Sequence, residues 1–384
     1  MVQNPLKKIL LFTFTSLFAT GLAFGKNDPD KKPGKDDDKS FTIEELILGF
    51  DEPIQKAYQT GEYLVLEVGE GKDSDVYVQY PGEDKPVKVS DNGDFDGNSI
   101  AINNKVIYES HILGNSNMYI FDIPTKKHNL LARGKFTSPS ITADGKLLYL
   151  IQTIGEKKNK HNEVVVFDMK TTDLKVLSKT LEDEVALAID PTGKYLSVVY
   201  SPTKKTQRIE MYVLSEDNFE LELAGRNRPK INLPVKKNKG VIIEKEADYT
   251  VKDMTFIGDS GFIYQISKPE YTDIRYFSDI SSKLQSWNTA RSKQLKKSEY
   301  MGSMVVSATG DVAYLDELSS GKAKVCVKNI FKSTRCGDII LKKQLMEEAA
   351  FVPIYFNSDA TKIVVYDETL QHINYEVANP AIPK

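Results

Sequence analysis

From Phe41 onward the chain reads as short runs of Val, Ile, Leu, Tyr and Phe separated by Asp-Gly, Thr-Gly and Asn-rich turns. Apolar and polar residues alternate within the runs. No long stretch of helical periodicity interrupts them, so the predicted elements are strands from end to end. The clearest organisation is a repeated unit, a tight turn followed by a strand. Four examples are YQTGEYLVLEV (58–68), AINNKVIYES (101–110), SITADGKLLYLI (140–151) and AIDPTGKYLSVVY (188–200). Three more follow: TFIGDSGFIYQI (255–266), VSATGDVAYLDE (306–317) and YFNSDATKIVVYDE (355–368).

Taking Gly61, Asn104, Gly145, Gly193, Gly261, Gly310 and Ala360 as the shared turn position gives spacings of 43, 41, 48, 68, 49 and 50 residues. Most of these suit a four-stranded propeller blade. The third unit shows the order of strands: Ser138–Thr142, the ADGK turn, Leu147–Thr153, a loop, Glu163–Met169, a Thr-Thr-Asp turn, then Leu174–Ser178. Small turn residues supply the positive φ that a tight hairpin needs, and alternation suits sheets packed face to face. The predicted fold class is all-β, a β-propeller of seven four-stranded blades. Six blades are the alternative, should the 101–110 unit be absorbed by a neighbour. A β-sandwich competes structurally but has no reason to repeat one turn seven times.

Closure of the ring needs a fourth strand for the last unit. After Tyr366 there is room for one strand, His372–Val377, before the chain ends. Phe41–Leu48, FTIEELIL, can supply the outer strand; a short amphipathic helix is the other reading of that segment.

The segments TSPSITADGKLLYLI (137–151) and AIDPTGKYLSVVYSP (188–202) resemble the S-P-D-G-K repeat of TolB-like propellers, and EVVVFDMKTTDLKVLS (163–178) looks like the second half of that repeat. The resemblance covers roughly residues 50–377. It departs from the family at Ala143 and Thr192, where the motif carries Pro or Asp, and there is no room for the N-terminal α/β domain of TolB. It implies the fold and a periplasmic or secreted habitat, while the Pal-binding role does not transfer. WD-repeat propellers are less similar, since the Trp-Asp and Gly-His signatures are missing.

Residues 1–25 carry the three parts of a secretory signal: Lys7 and Lys8, the apolar run Ile9–Phe18, and Ala23 and Gly25 at the −3 and −1 positions of a cleavage site. An uncleaved anchor is the competing reading. The apolar stretch Ile9–Phe24, however, falls short of the ~20 residues of a spanning helix. Residues 26–40, KNDPDKKPGKDDDKS, hold no large apolar residue and are expected to be a disordered linker. The expected organisation is thus a signal peptide (1–25), a linker (26–40), a propeller (41–378) and a tail (379–384). The mature protein is expected not to span the membrane.

Removing Lys7 and Lys8 takes the formal charge from −3 to −5, too mild to point to nucleic acid. Cys326 and Cys336 fall in one predicted hairpin, VCVKNIFKSTRC, where an exported protein permits a disulfide; two small buried residues are the alternative. The four His, at 111, 128, 161 and 372, show no ligand spacing, so neither a metal site nor a cofactor is expected. No catalytic motif is found: no phosphate loop, nucleophile elbow, H-E-x-x-H or sialidase box. Asp144, Asp190, Asp259, Asp311 and Asp359 recur at or beside the turns, where side-chain oxygens commonly hold the turn backbone.

Basic residues collect in three stretches. Lys157, Lys158, Lys160 and His161 belong to the loop joining strands two and three of the third unit, and Lys204, Lys205 and Arg208 to the matching loop of the fourth. Arg226, Arg228, Lys230, Lys236, Lys237 and Lys239 fill the long stretch behind the 68-residue spacing, read here as the crossing to the fifth unit. Loops between strands two and three share a face with loops between blades, so all three stretches are expected on one basic face. Ordinary solvation of loops is the bland alternative. The expected function is an exported binding module for a protein or cell-envelope partner, an acidic one included. The alternative is a propeller hydrolase or lactonase with its site at the central channel.

Overall fold

The computed structural model describes residues 42–45, most of 52–340, and 354–356, 362–365 and 373–376, with backbone alone for several of the outer and later strands. The signal, linker and tail residues lie outside the described set.

The chain opens with β1 (Thr42–Glu45), whose partner comes last. Blade one follows as β2 (Ile54–Thr60), β3 (Tyr63–Val68), β4 (Asp75–Gln79) and β5 (Val87–Lys88). Blade two is β6 (Asp96–Ile102), β7 (Lys105–Ile112), β8 (Asn115–Asp122) and β9 (Lys127–Arg133). Blade three is β10 (Phe136–Ile141), β11 (Leu147–Ile154), β12 (His161–Asp168) and β13 (Leu174–Val176). Blade four takes β14 (Asp183–Ile189), β15 (Tyr195–Thr203) and β16 (Thr206–Val213). A two-stranded parallel ribbon, β17 (Leu221–Glu222) with β18 (Asn238–Lys239), comes before its fourth strand, β19 (Val241–Ala247). Blade five is β20 (Thr250–Ile257), β21 (Gly261–Lys268), β22 (Tyr271–Phe277) and β23 (Lys293–Ser298).

Each of these five sheets is antiparallel, with its strands in chain order. Two further four-stranded sheets are described chiefly through their backbone pairing. One is β24 (Met301–Val306), β25 (Asp311–Ser319), β26 (Lys322–Asn329) and β27 (Thr334–Ile340). The other is β28 (Ile354–Phe356), β29 (Lys362–Val365), β30 (Ile373–Glu376) and β1. The blades described with their side chains therefore number five, where seven or six were expected. β1 pairs antiparallel with β30, Thr42 opposite Glu376, so the first strand completes the last sheet as an outer strand and not as a helix.

Side chains alternate between the two faces of a strand, and in the middle of a blade both faces are covered by neighbouring blades. On β3, Val65 packs with Val76, Val106, Tyr108 and Phe121 towards blade two, while Leu64, Leu66 and Val68 turn to the other side. Ile107, Met118, Leu148 and Val165 bind blade two to blade three. A larger core of Tyr149, Val164, Leu196, Tyr200, Tyr212, Phe262 and others joins blades three, four and five.

The turns follow the reading of the repeat in blades one to four, where Gly61, Asn104, Gly145 and Gly193 all have positive φ. In blade five Gly258, φ +58°, takes that conformation; Gly261 opens β21 instead, which corrects the expected turn position. Asp190 accepts hydrogen bonds from the Thr192 amide and hydroxyl and from the Tyr195 amide. Asp144 does the same for the Thr142 hydroxyl and the Lys146 amide, and the Lys146 ammonium at 2.7 Å, with these two bonds, holds its carboxyl down at about 2. Asp311 begins a strand, whereas Asp259 and Asp359 lie outside the described residues.

The long basic stretch is not where the repeat spacing put it. It runs between β16 and β19, which pair with each other in blade four, while β19 reaches β20 across only two residues. A connection between strands three and four emerges at the opposite end of a blade from one between strands two and three. The connection that carries the 68-residue spacing lies within blade four and not between blades four and five; Arg226, Arg228, Lys230, Lys236 and Lys237 themselves lie outside the described residues, as do Lys157, Lys158, Lys204 and Lys205. The reason is physical: an insertion lengthens the spacing equally wherever in the unit it falls.

Candidate functional site

The inner strands share one irregularity. β2, β6, β10, β14, β20 and β24 each shift register near their start, between Ile54 and Lys56, Gly97 and Ile100, Thr137 and Ser140, Glu184 and Ala186, Val251 and Asp253, and Met301 and Met304. A bulge adds a residue, bends the strand and re-aims side chains. Repeated around the ring, it turns residues of each inner strand towards the axis. The backbone records this at Asn98 and Ser138, non-glycine residues with φ near +50°.

These bulges surround a cavity of about 550 Å³, lined by parts of all six inner strands. Its polar wall holds Lys56, Glu67, Asn98, Ser138, Ser140, Lys252 and Asp253. Ile100, Leu187, Val251, Met304 and Val306 make the apolar remainder. The lining runs from near the starts of β2 and β6 to the last residue of β24.

On the blade one side the charges are tied together. Glu67 accepts hydrogen bonds from the amide and the hydroxyl of Ser99, at 2.6 and 2.5 Å. With its proton committed to Glu67, Ser99 Oγ accepts from the Tyr58 hydroxyl. Burial, reinforced by the charge of Glu67, raises the Tyr58 pKa well above its ordinary value. Lys56 Nζ donates to the Ser99 carbonyl at 2.5 Å and stands 3.8 Å from Glu67.

Asp253, on β20, differs. Its side chain is accessible from the cavity but ringed by protein, and the loss of bulk water raises its carboxyl to about 6. The Met254 amide and the charge of Lys56 pull the other way without cancelling that shift. Among the described residues, no cation lies within 4.0 Å of it.

Blades two to five also bury carboxylates among hydrogen-bonding partners. In blade two, Glu109 takes the Asn98 amide at 2.6 Å and His111 at 3.0 Å. Glu163 in blade three takes the Ser178 hydroxyl at 2.7 Å, with His161 at 3.3 Å. In blade five Asp273 takes Arg275 and Gln294. Blade four has the fullest set. Arg208 donates to Glu210 at 2.5 Å and to Glu182 at 2.6 Å, while Tyr212 donates to the other oxygen of Glu210 and Tyr200 to Tyr212. Burial drives both tyrosine pKa values well up.

Arg208 is thus 7% exposed, sits on strand β16, and is occupied by two acids, so it does not belong to an exposed basic loop. Lys160 is exposed beside the β11–β12 loop. Lys157, Lys158, Lys204, Lys205, Arg226, Arg228, Lys230, Lys236 and Lys237 lie outside the described residues, and Lys239 is described by its backbone in β18. The sequence reading missed the buried carboxylates and Asp253. Their signal was an acid interrupting an apolar strand, as in VLEV (65–68), IYES (107–110) and IEMY (209–212). Cys326 stands directly opposite Cys336 in the β26–β27 register.

Among the described residues no group of three His, Cys, Asp or Glu is arranged to hold a metal ion, and no helix is long and apolar enough to cross a membrane. No family model and no curated protein sequence matches the chain. Solved structures do match in fold. An oligogalacturonate lyase from Vibrio parahaemolyticus is 11% identical with a TM-score of 0.58, over 90% of this chain and 99% of that one. One of two prolyl endopeptidases studied for inter-domain dynamics is 10% identical with a TM-score of 0.56; the match covers 82% of this chain but only 46% of the peptidase, so the chain spans about half its length. TolB from Acinetobacter baumannii is 12% identical with a TM-score of 0.44, over 79% of this chain and 60% of that one. At such identities the likeness is one of fold, and the chain is a β-propeller.

Proposed function

We propose that the protein is an exported, non-catalytic binding module: a seven-bladed propeller that presents one loop-rich end to a protein or cell-envelope partner. Supporting the ring of seven, the inner strands of the seven four-stranded sheets touch in sequence, β2 to β6, β10, β14, β20, β24, β28 and back to β2. The observation that supports the binding reading is the cavity that six inner strands line; Lys157, Lys158, Lys160, Lys204 and Lys205 belong to the loops joining strands two and three and are the cations this reading offers to a partner. Strand side chains are committed to packing between blades, so recognition falls to loops and to the channel mouth. Exposed lysines there attract an acidic partner through forces screened beyond ~8–10 Å at physiological salt. Export rests on the signal pattern of residues 1–25 and places the protein in the periplasm or outside the cell.

The test is capture from envelope extract by the full chain, compared with two charge-reversed variants over a salt series. Reversal at Lys157, Lys158, Lys160, Lys204 and Lys205 is expected to weaken capture. Reversal at Arg226, Arg228, Lys236 and Lys237, in the insertion between β16 and β19, is expected to leave it intact. The opposite pattern moves the partner to the insertion in blade four, and capture indifferent to both sets of charges removes the basic loops from the reading.

One observation favours the alternative of a channel hydrolase or lactonase. A carboxyl near neutrality in a cavity has the pKa a general base needs. Hydrolysis of model lactones and esters that is lost in Asp253→Asn would establish that reading.

The export reading also carries a disulfide between Cys326 and Cys336, whose Cα positions face each other across an antiparallel pair. It would contribute about 2–3 kcal/mol by the chain-entropy argument. Denatured, unreduced protein purified from the exported fraction is expected to show no titratable thiol; two thiols per chain would end the idea.

A further inference from the structure

Two residues at equivalent places in neighbouring blades hold a backbone conformation that residues with side chains rarely adopt. Asn98, φ +47°, lies in the bulge of β6 and Ser138, φ +50°, in that of β10, and both line the cavity. Such conformations persist where the surroundings fix them, and they gather at ligand sites. At β6 the fixing groups are visible. The next residue, Ser99, is held by Glu67 through its amide and hydroxyl and by Lys56 through its carbonyl. Asn98 itself donates to Glu109 at 2.6 Å, and His111 stands on the other oxygen of that carboxylate. An ionised carboxylate only accepts, so the nitrogen of the Asn98 amide faces Glu109 and its Oδ1 faces away. Among the described residues nothing donates to that oxygen. Ser140, on the next inner strand, is fixed in the complementary sense. Its Oγ accepts from the Ile189 amide at 3.0 Å, which leaves its hydrogen to be donated.

Blades one to three thus offer a mixed arc: the N–H groups of Lys56 that the Ser99 carbonyl does not use, an amide oxygen at Asn98, and hydroxyls at Ser138 and Ser140. The formal charges of the lining cancel, Lys56 and Lys252 against Glu67 and Asp253. Leu187 and Met304, from blades four and six, add apolar ground. We infer that the cavity binds a neutral polyhydroxylated molecule, a small sugar, with Asn98 Oδ1 accepting from one of its hydroxyls and Ser138 and Ser140 meeting others. A hydroxyl both donates and accepts, so a row of them matches donors and acceptors lying side by side, while the C–H faces of the same molecule suit Leu187 and Met304. An ion meets a wall whose charges cancel. A purely apolar molecule would strip water from the fixed polar groups without replacing its hydrogen bonds. The volume, about 550 Å³, is within the range of pockets that hold small ligands. The inference extends the binding reading from the loops to the cavity, and its test leaves the loops untouched, so either can fail alone.

The probes are maltose, cellobiose and trehalose, titrated into the full chain at millimolar concentration and followed by ligand-observed NMR. At least one is expected to bind, with an affinity that changes less than about twofold between low salt and about 0.5 M salt. Asn98→Gly leaves the backbone free to hold its positive φ while removing the amide oxygen, and Ser138→Gly does the same for a hydroxyl. With their folds checked by circular dichroism, each variant should bind about three- to tenfold more weakly. Glucosamine and glucuronate, charged counterparts of glucose, should bind no more than about threefold tighter than glucose itself. Failure of all three disaccharides to bind, an affinity that follows ionic strength, a larger preference for either charged sugar, or undiminished binding by either variant would each overturn the inference, whatever the capture experiment shows.

Discussion

Glu67 and Asp253 line the same cavity from blades one and five, yet their surroundings have little in common. Glu67 is nearly buried and receives an amide, a hydroxyl and, at longer range, Lys56. Asp253 is open to the cavity and receives one amide. Satisfied buried carboxylates hold neighbouring strands in place, whereas one whose pKa is raised by its surroundings lowers the stability of the fold once it ionises. The same contrast separates Asp253 from Glu109, Glu163, Glu210 and Asp273, each of which has its partners supplied by the protein.

The paired case can be broken most severely in blade four. Arg208→Ala leaves Glu210 buried without its cation, and about 3–5 kcal/mol of stability should be lost in urea unfolding. A loss of under 1 kcal/mol would mean that the carboxylate finds another partner. Next comes Glu67→Ala, which strands the buried Ser99 amide and frees Lys56; here roughly 1.5–3 kcal/mol is expected by the same measurement.

Asp253→Asn should act in the opposite direction. The folded pKa of about 6 lies above the ordinary ~3.9 of the unfolded chain, so between these values the native state holds the proton more tightly. Parent stability therefore falls as pH rises from about 4 to about 6 and stays lower above that. The Asn variant should melt higher than the parent at pH 7 and together with it at pH 4. A lower melting temperature at pH 7 would contradict the assignment of an uncompensated charge. The smallest effect is that of Lys56→Met. Removing the one cation that lowers the Asp253 pKa should move its titration midpoint upward, read by carboxyl carbon NMR, and no such movement should occur for Asp144 at the far end of blade three.

Much of the architecture was legible because it is local. The turn of blade three is Thr142–Asp144–Gly145, a hydroxyl, an acid and a residue free to adopt φ +70°, and those properties are visible in the letters themselves. The strands of that blade fall within a few residues of where alternation placed them. The place of the long insertion was misread for a specific reason. Spacing showed that blade four carries an insertion but contained nothing to say whether β19 pairs with β16 before or after it. Arg208 was misread likewise: in sequence it adjoins Lys204 and Lys205, while strand direction carries it down to Glu210 and Glu182.

The sequence by itself determined the all-β class, the repeated blade and the conformation of its turns, since each depends on residues close together in the chain, on alternation, small side chains and turn-forming acids. Tertiary structure alone decided that β1 closes the last sheet, that the insertion falls between the third and fourth strands of blade four, and that Lys56, Glu67, Lys252 and Asp253 share one volume. Those outcomes depend on which distant strands meet around the ring. The environment they create at Asp253 is a property of that meeting, and no residue carries it in isolation.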